Sequence, residues 1–143
     1  MKPAFLLTWN PRVYAWDELP SDLRKLKRGK RLVVRWGCGR SRQIRDGDRL
    51  YLLRQGLEPR GLVGSGYASG DWYEGESFRH KGVPGHYVDM AVDALQLTPI
   101  LPREALSHGK LSGMYWNTMV SGVEIPGPVA LELDRVWRGL TAE

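Results

Sequence analysis

Cysteine is nearly absent. Cys38 is the single one in 143 residues, so no disulfide can close within the chain, and neither a Cys-rich zinc site nor a Cys-x-x-Cys redox pair can be built. Histidine is scarce as well: His80, His86 and His108 are the only three, none in a His-x-x-x-His pair, so no metal site is expected. Long apolar runs are missing. Ala4 to Leu7 is shorter than the roughly 7 to 15 residues of a signal-peptide core, and no segment approaches the roughly 18 needed to span a bilayer. A soluble, cytoplasmic protein with no membrane partner is the expectation. Catalytic signatures are lacking too. Gly64-Ser65-Gly66 does not have the spacing of a nucleophile elbow, no Gly-rich loop ends in Gly-Lys-Ser or Gly-Lys-Thr, and Asp89 and Asp93 read as a solvated strand face rather than an acid/base pair. The reading is therefore of a non-enzyme with no cofactor.

What the chain does have is basic charge and flat aromatic rings. Lys and Arg outnumber Asp and Glu 21 to 16, a net charge of +5, and the excess is concentrated between Arg24 and Arg60. Lys27, Arg28, Lys30, Arg35, Arg40, Arg42, Arg54 and Arg60 are the candidate phosphate contacts, because a polyanion is held by clustered cations. The Arg24 to Arg31 stretch is equally readable as a solvated surface. Six Trp and six Tyr stand against two Phe, a bias toward rings with large faces and a polar handle. Trp9, Trp36, Trp72, Tyr73 and Trp116 fall at predicted strand ends or in loops, where they could stack on unpaired bases. Trp16 and Trp137 fall on predicted helix faces, where packing is the expected role.

The pattern of elements points to one mixed α+β domain on a curved sheet or barrel, flanked by helices and spanning residues 1–143. Phe5 to Trp9 is an apolar run stopped by Asn10-Pro11 and predicts a strand. Trp16, Leu19, Leu23 and Leu26 share one helical face, which predicts a helix over 16–28. Leu32 to Trp36, Arg49 to Arg54, Gly61 to Ala68 and His86 to Leu97 read as further strands. The glycines at 61, 64 and 66 signal a bulge or a close backbone approach. Residues 71–85 are polar and without periodicity, hence a long loop. Pro128 to Leu140 closes the chain as a helix, with Val129, Leu133, Val136, Trp137 and Leu140 on one face.

Several short blocks occur in an order that resembles the EVE domains of the PUA-like superfamily: Trp9-Asn10-Pro11, Arg35-Trp36-Gly37-Cys38-Gly39, Gly47-Asp48-Arg49, Leu52-Leu53-Arg54-Gln55-Gly56, Glu58-Pro59-Arg60-Gly61, Ser65-Gly66, Tyr87-Val88-Asp89 and Ser121-Gly122. The resemblance covers most of the chain and looks closest to the N-terminal EVE domains of modification-dependent HNH endonucleases. It implies a PUA-like barrel that flips a modified cytosine, 5-methylcytosine or 5-hydroxymethylcytosine, out of double-stranded DNA into an aromatic pocket. On that resemblance Trp9 and Trp36 form pocket walls, with Trp116 also assigned to the pocket. Asn10 and the backbone around Gly37 and Ser65 meet the polar edge of the base, and Trp72 or Tyr73 serves as a lid or wedge. Two positions depart from the pattern: Gly37 stands where a Ser or Thr is usual, and Ser77-Phe78 where His-Trp is usual. Any cleavage is expected to need a nuclease domain or partner chain.

Two other readings stay open on the residues alone. One is an RNA-binding PUA-like module, since nothing here reports on the 2′-hydroxyl. The other is a small-molecule or nucleotide-metabolism enzyme that holds a free ligand in the same pocket. Binding that weakens steeply with salt separates the nucleic-acid readers from the latter.

Overall fold

The computed structural model describes residues 2–77, 82 and 84–142. Strands β1 (Ala4–Trp9), β2 (Val33–Gly37), β3 (Arg49–Arg54), β4 (Gly61–Ala68), β5 (Tyr73–Glu76), β6 (Pro84–Leu95), β7 (Leu101–Pro102) and β8 (Val123–Ile125) join in one mixed sheet of order β2-β6-β4-β3-β1-β8, with β5 paired to β6 and β7 to β4. Helix α1 (Leu19–Lys27) follows β1, the short α2 (Arg103–Leu106) follows β7, and α3 (Gly127–Thr141) closes the described chain. The expected α+β class holds. The hydrogen-bonded sheet is open, ending at β2 on one side and β8 on the other.

Its centre is buried on both faces, which is why β1 and β3 read as nearly unbroken apolar runs. Side chains alternate across a strand with period two. In β1, Phe5, Leu7 and Trp9 join one core while Ala4 and Leu6 join the other; in β3, Leu50 and Leu52 face the first and Tyr51 and Leu53 the second. The first core is covered by Leu19, Leu23 and Leu26 of α1 together with Trp16 and Trp36. The second is covered by Leu106 of α2, Leu111, and Val129, Leu133 and Trp137 of α3. Burying Leu133 or Leu106 completely contributes about 1.5–3 kcal/mol each relative to exposure.

The glycines of β4 permit a close crossing with β6. A Cβ at Gly64 would lie 2.8 Å from the Ala94 carbonyl, and one at Gly66 would collide with the Ala91 carbonyl. The register slips between Ser65 and Gly66, so that Ser65 faces Ala94 while Gly66 faces Val92. Asp93 is left between them, against Ser65 Oγ at 2.5 Å and Arg49 at 2.7 Å.

Two expectations need correction, and two short strands were missed. Residues 71–85 are not one loop: β5 pairs antiparallel with the start of β6, from Tyr73 opposite Tyr87 to Glu76 opposite Pro84. An edge strand solvated on both faces carries no alternation, so this stretch holds no strand signal. Trp16 precedes α1 rather than opening it. Its φ is +50°, its ring is buried, and its Nε1 donates to Asp22 Oδ2 at 3.1 Å; the helical spacing shared with Leu19 reflects a common core. Pro20 then sits in the first turn of α1, where a missing N–H costs nothing. The strands β7 and β8, at two and three residues, are too short for any periodicity. No helix among the described residues is long and apolar enough to cross a membrane.

Candidate functional site: an aromatic cavity rimmed by arginine

The open side of the sheet is bridged by a side chain. Ser121, in the segment before β8, donates from Oγ to the Gly37 carbonyl at 2.7 Å and accepts from the Thr8 N–H at 3.1 Å, tying the end of β2 to β1. Two glycines make the approach possible. A Cβ at Gly39 would strike the Ser121 carbonyl and one at Gly122 the Cys38 carbonyl, and both have positive φ, +63° and +85°, the region glycine adopts without cost.

Beside this bridge opens a cavity of about 910 Å³, at the upper end of the roughly 300–1,000 Å³ usual for ligand pockets. Its lining includes Thr8, Trp9, Trp36, Gly37 and Tyr87, the exposed apolar side chains of Val13, Tyr14, Met119 and Val120, and three charged residues, Arg35, Arg40 and Glu76. The rings are fixed before any ligand arrives. Trp36 Nε1 donates to the Thr8 carbonyl at 3.0 Å and Trp9 Nε1 to the Tyr14 carbonyl at 2.8 Å. Trp16 backs both, with centroids 4.9 Å from Trp36 and 5.4 Å from Trp9. Tyr14 meets Trp36 edge to face at 5.6 Å, and burial, with help from the Glu18, Asp22 and Asp17 carboxylates, raises its pKa. Arg35 lies over the Tyr87 ring at 3.8 Å from the centroid. That places a delocalised cation and an aromatic face on the same wall. Asn10 also lines the cavity; its Oδ1 accepts from the Arg12 N–H at 3.0 Å, and its amide packs so closely on Gly56 that a Cβ there would collide with it.

Of the sequence-predicted pocket residues, Trp9, Asn10, Trp36 and Gly37 are thus brought together. The other four lie elsewhere. Ser65 is fully buried on the opposite side of the sheet, donating to Asp93 and accepting from Trp137 Nε1 at 2.8 Å, so it docks α3. Trp116 sits in the second core, its Nε1 held by the Leu111 carbonyl at 2.7 Å. Trp72 packs on the first core and against His86 at 4.6 Å. Tyr73 donates to Asp89 Oδ1 at 2.6 Å, and burial together with that carboxylate pushes its pKa up to about 12. Phe78 and His80 fall outside the described residues.

Among the predicted phosphate contacts, Arg35 and Arg40 reach the cavity, and Arg42 lines a smaller depression of about 390 Å³ next to it, shared with Arg40, Ser41, Gln43 and Val120. Arg54 lies over the Trp9 ring at 5.3 Å from its centroid and bonds the Leu57 and Glu58 carbonyls. Arg60 pairs with Glu58 at 3.1 Å. Lys27, Arg28 and Lys30 are exposed at the end of α1 and line neither depression. Sequence reasoning missed Tyr14, Tyr87, Met119, Val120 and Ser121 as site residues. Tyr87 and Ser121 stood within blocks of the family resemblance without being assigned to the site, and the only signal for the others was the adjacent apolar pairs Val13-Tyr14 and Met119-Val120. Among the described residues no group of three His, Cys, Asp or Glu could hold a metal ion.

No family model and no curated protein matches this chain, but solved structures do. A hypothetical protein from Leishmania major superposes with a TM-score of 0.65 at 14% identity, over 95% of this chain and 94% of that one. A protein from Pseudomonas putida gives 0.63 at 17% identity, over 93% and 98%. Human THYN1, solved in complex with DNA containing 5-methylcytosine, gives 0.59 at 13% identity over 99% of both chains. With its mixed eight-stranded sheet and flanking helices matched over nearly the whole length of these chains, the protein has the EVE/PUA-like fold that it shares with human THYN1.

Proposed function

We propose that this protein is a non-catalytic reader of a modified cytosine in double-stranded DNA, which it takes out of the base stack into the cavity beside Ser121. The observation that carries the reading is the cavity itself: preorganised Trp9, Trp36, Tyr14 and Tyr87 next to Arg35 and Arg40, on the fold of a protein solved with 5-methylcytosine DNA. Extrusion of a base costs a few kcal/mol. Stacking at roughly 1–3 kcal/mol per base, with phosphate contacts, offsets that cost. A buried methyl adds only about 0.8 kcal/mol, so discrimination rests on the fit of the ring between fixed walls and on the Asn10 amide at its polar edge. Cleavage, where it accompanies reading, is the work of a nuclease domain or partner chain.

The test is a binding series of matched oligonucleotides carrying cytosine, 5-methylcytosine, 5-hydroxymethylcytosine or N6-methyladenine, in DNA and in RNA, over a range of salt. The expected result is preferential binding to a modified cytosine in DNA, with affinity falling steeply as salt rises. Equal affinity for all bases, a preference for RNA, or salt-insensitive binding of free nucleosides would each overturn it, the last two in favour of the RNA module and the small-molecule site respectively.

A further inference from the structure

Met119 and Val120 are 54% and 60% exposed, yet the backbone that carries them is pinned on both flanks. Gln55 Nε2 donates to the Trp116 carbonyl at 2.7 Å and the Thr118 carbonyl at 3.1 Å, Thr8 Oγ1 donates to the Met119 carbonyl at 3.3 Å, and the Val120 N–H reaches Thr118 Oγ1 at 3.0 Å. On the far side Ser121 bridges Thr8 and Gly37, and the Gly122 N–H bonds the Leu6 carbonyl at 2.8 Å. Two large apolar side chains therefore project from an anchored backbone and are more than half exposed.

That position is a ridge. On one side lies the aromatic cavity, which both residues line; on the other lies the smaller depression, which Val120 lines with Arg40, Ser41, Arg42 and Gln43. A nucleotide spans the same arrangement: a flat base, a phosphate one sugar away, and a gap in the stack between its neighbours once the base has left. Resting on the reader function above, we infer that Met119 and Val120 are the apolar wedge that enters the DNA stack at the vacated position, while Arg40 and Arg42 hold the adjoining phosphate. Apolar side chains inserted between base steps stabilise an opened duplex by replacing lost stacking. Trp72 and Tyr73, which the sequence offered for this role, are committed elsewhere, the first against His86 and the second to Asp89.

The test compares the unaltered full chain with Met119→Ala/Val120→Ala on three probes: a matched duplex with one 5-methylcytosine, the same strand alone, and a duplex in which that base faces an abasic site. A wedge acts only where a stack must be opened, so the loss on the matched duplex is expected to exceed by at least about tenfold the loss on the single strand, which needs no opening and forfeits only the contact both residues make with the cavity. The abasic duplex should fall between them, and Met119→Leu/Val120→Ile should restore matched-duplex binding. Equal losses on all probes would make the ridge a general contact and overturn the wedge; so would no loss on any probe with the melting temperature unchanged. Failure of the reader function itself looks different, because the unaltered protein would then not distinguish 5-methylcytosine from cytosine on the single strand either.

Discussion

Trp36 and Tyr14 meet edge to face at the cavity, but they stand in different relations to the core. Trp36 is 7% exposed and bonded to Thr8, and belongs to the first core; Tyr14 is 40% exposed and rests on it from the solvent side. Truncating Trp36 to Ala is therefore expected to cost about 3–5 kcal/mol of folding stability, which makes it a poor probe of binding. Tyr14→Ala should leave the denaturation midpoint near that of the parent and lower the preference for the modified base by roughly tenfold, as one partial stacking wall is removed. Denaturant melts beside paired binding curves check both, and a Tyr14→Ala protein that melts normally with its preference intact would remove this residue from the site. Cys38 gives a second outcome at the same scale. It is fully buried, and burial pushes its thiol from an ordinary 9.0 up to about 11. The unfolded chain then releases this proton at lower pH than the folded one, so the contribution is intact below pH 9.0 and is lost as pH rises toward 11. A Cys38→Ala protein should show a shallower fall in stability across that window. Thiol reagents at neutral pH should leave Cys38 unmodified until the protein unfolds.

At the scale of elements, the segment 117–122 matters more than its lack of secondary structure suggests. Ser121 spans the gap between β1 and β2, accepting one backbone bond and donating another. Ser121→Ala orphans the Thr8 N–H and the Gly37 carbonyl and should cost about 1–3 kcal/mol. It should also weaken duplex binding more than single-strand binding, because the ridge loses its anchor; urea melts and the oligonucleotide series read the two effects separately. α3 is fastened on the opposite face by an equally local device, the Trp137 indole bonded to Ser65 and Ser65 to Asp93. That device lies on the other side of the sheet from the cavity. Trp137→Phe should therefore lower stability by about 1–3 kcal/mol, because the indole donor is gone, while leaving the ratio of modified to unmodified binding unchanged. A shifted ratio would tie α3 to the site.

For the molecule as a whole, the question is where a polyanion runs. Arg35, Arg40 and Arg42 line the cavity and its neighbouring depression, whereas Lys27, Arg28 and Lys30 sit at the end of α1. Gln at the first three should flatten the slope of log affinity against log salt by about 0.9 for each duplex phosphate that is no longer neutralised. Gln at the second three should change that slope less. The reverse order would move the footprint to α1 and away from the aromatic cavity. Most of the strand positions and both long helices were legible in the residues, because β1 and β3 carry nearly unbroken apolar runs, β4 its glycine-spaced one, and α1 and α3 apolar stripes at helical spacing. Trp9 and Trp36 were legible as candidates because each is a flat ring at a predicted strand end, and Asn10 and Gly37 through the resemblance to EVE domains. Which aromatics share a cavity was not legible: Trp116 and Trp72 look like Trp9 in sequence, and only the packing of α3 and β6 draws them elsewhere. Tyr14, Tyr87 and the Met119-Val120 ridge come from three separate segments, placed by the Trp9 indole bonded to the Tyr14 carbonyl, by the pairing of Gly37 with Tyr87, and by bonds from Thr8 and Gln55 to the ridge, none of which a local pattern records. Alternation and turn chemistry are local and so are written in the chain, whereas a cavity is assembled from distant segments, fixed by the sheet's order and by Gly39 and Gly122 letting two loops touch.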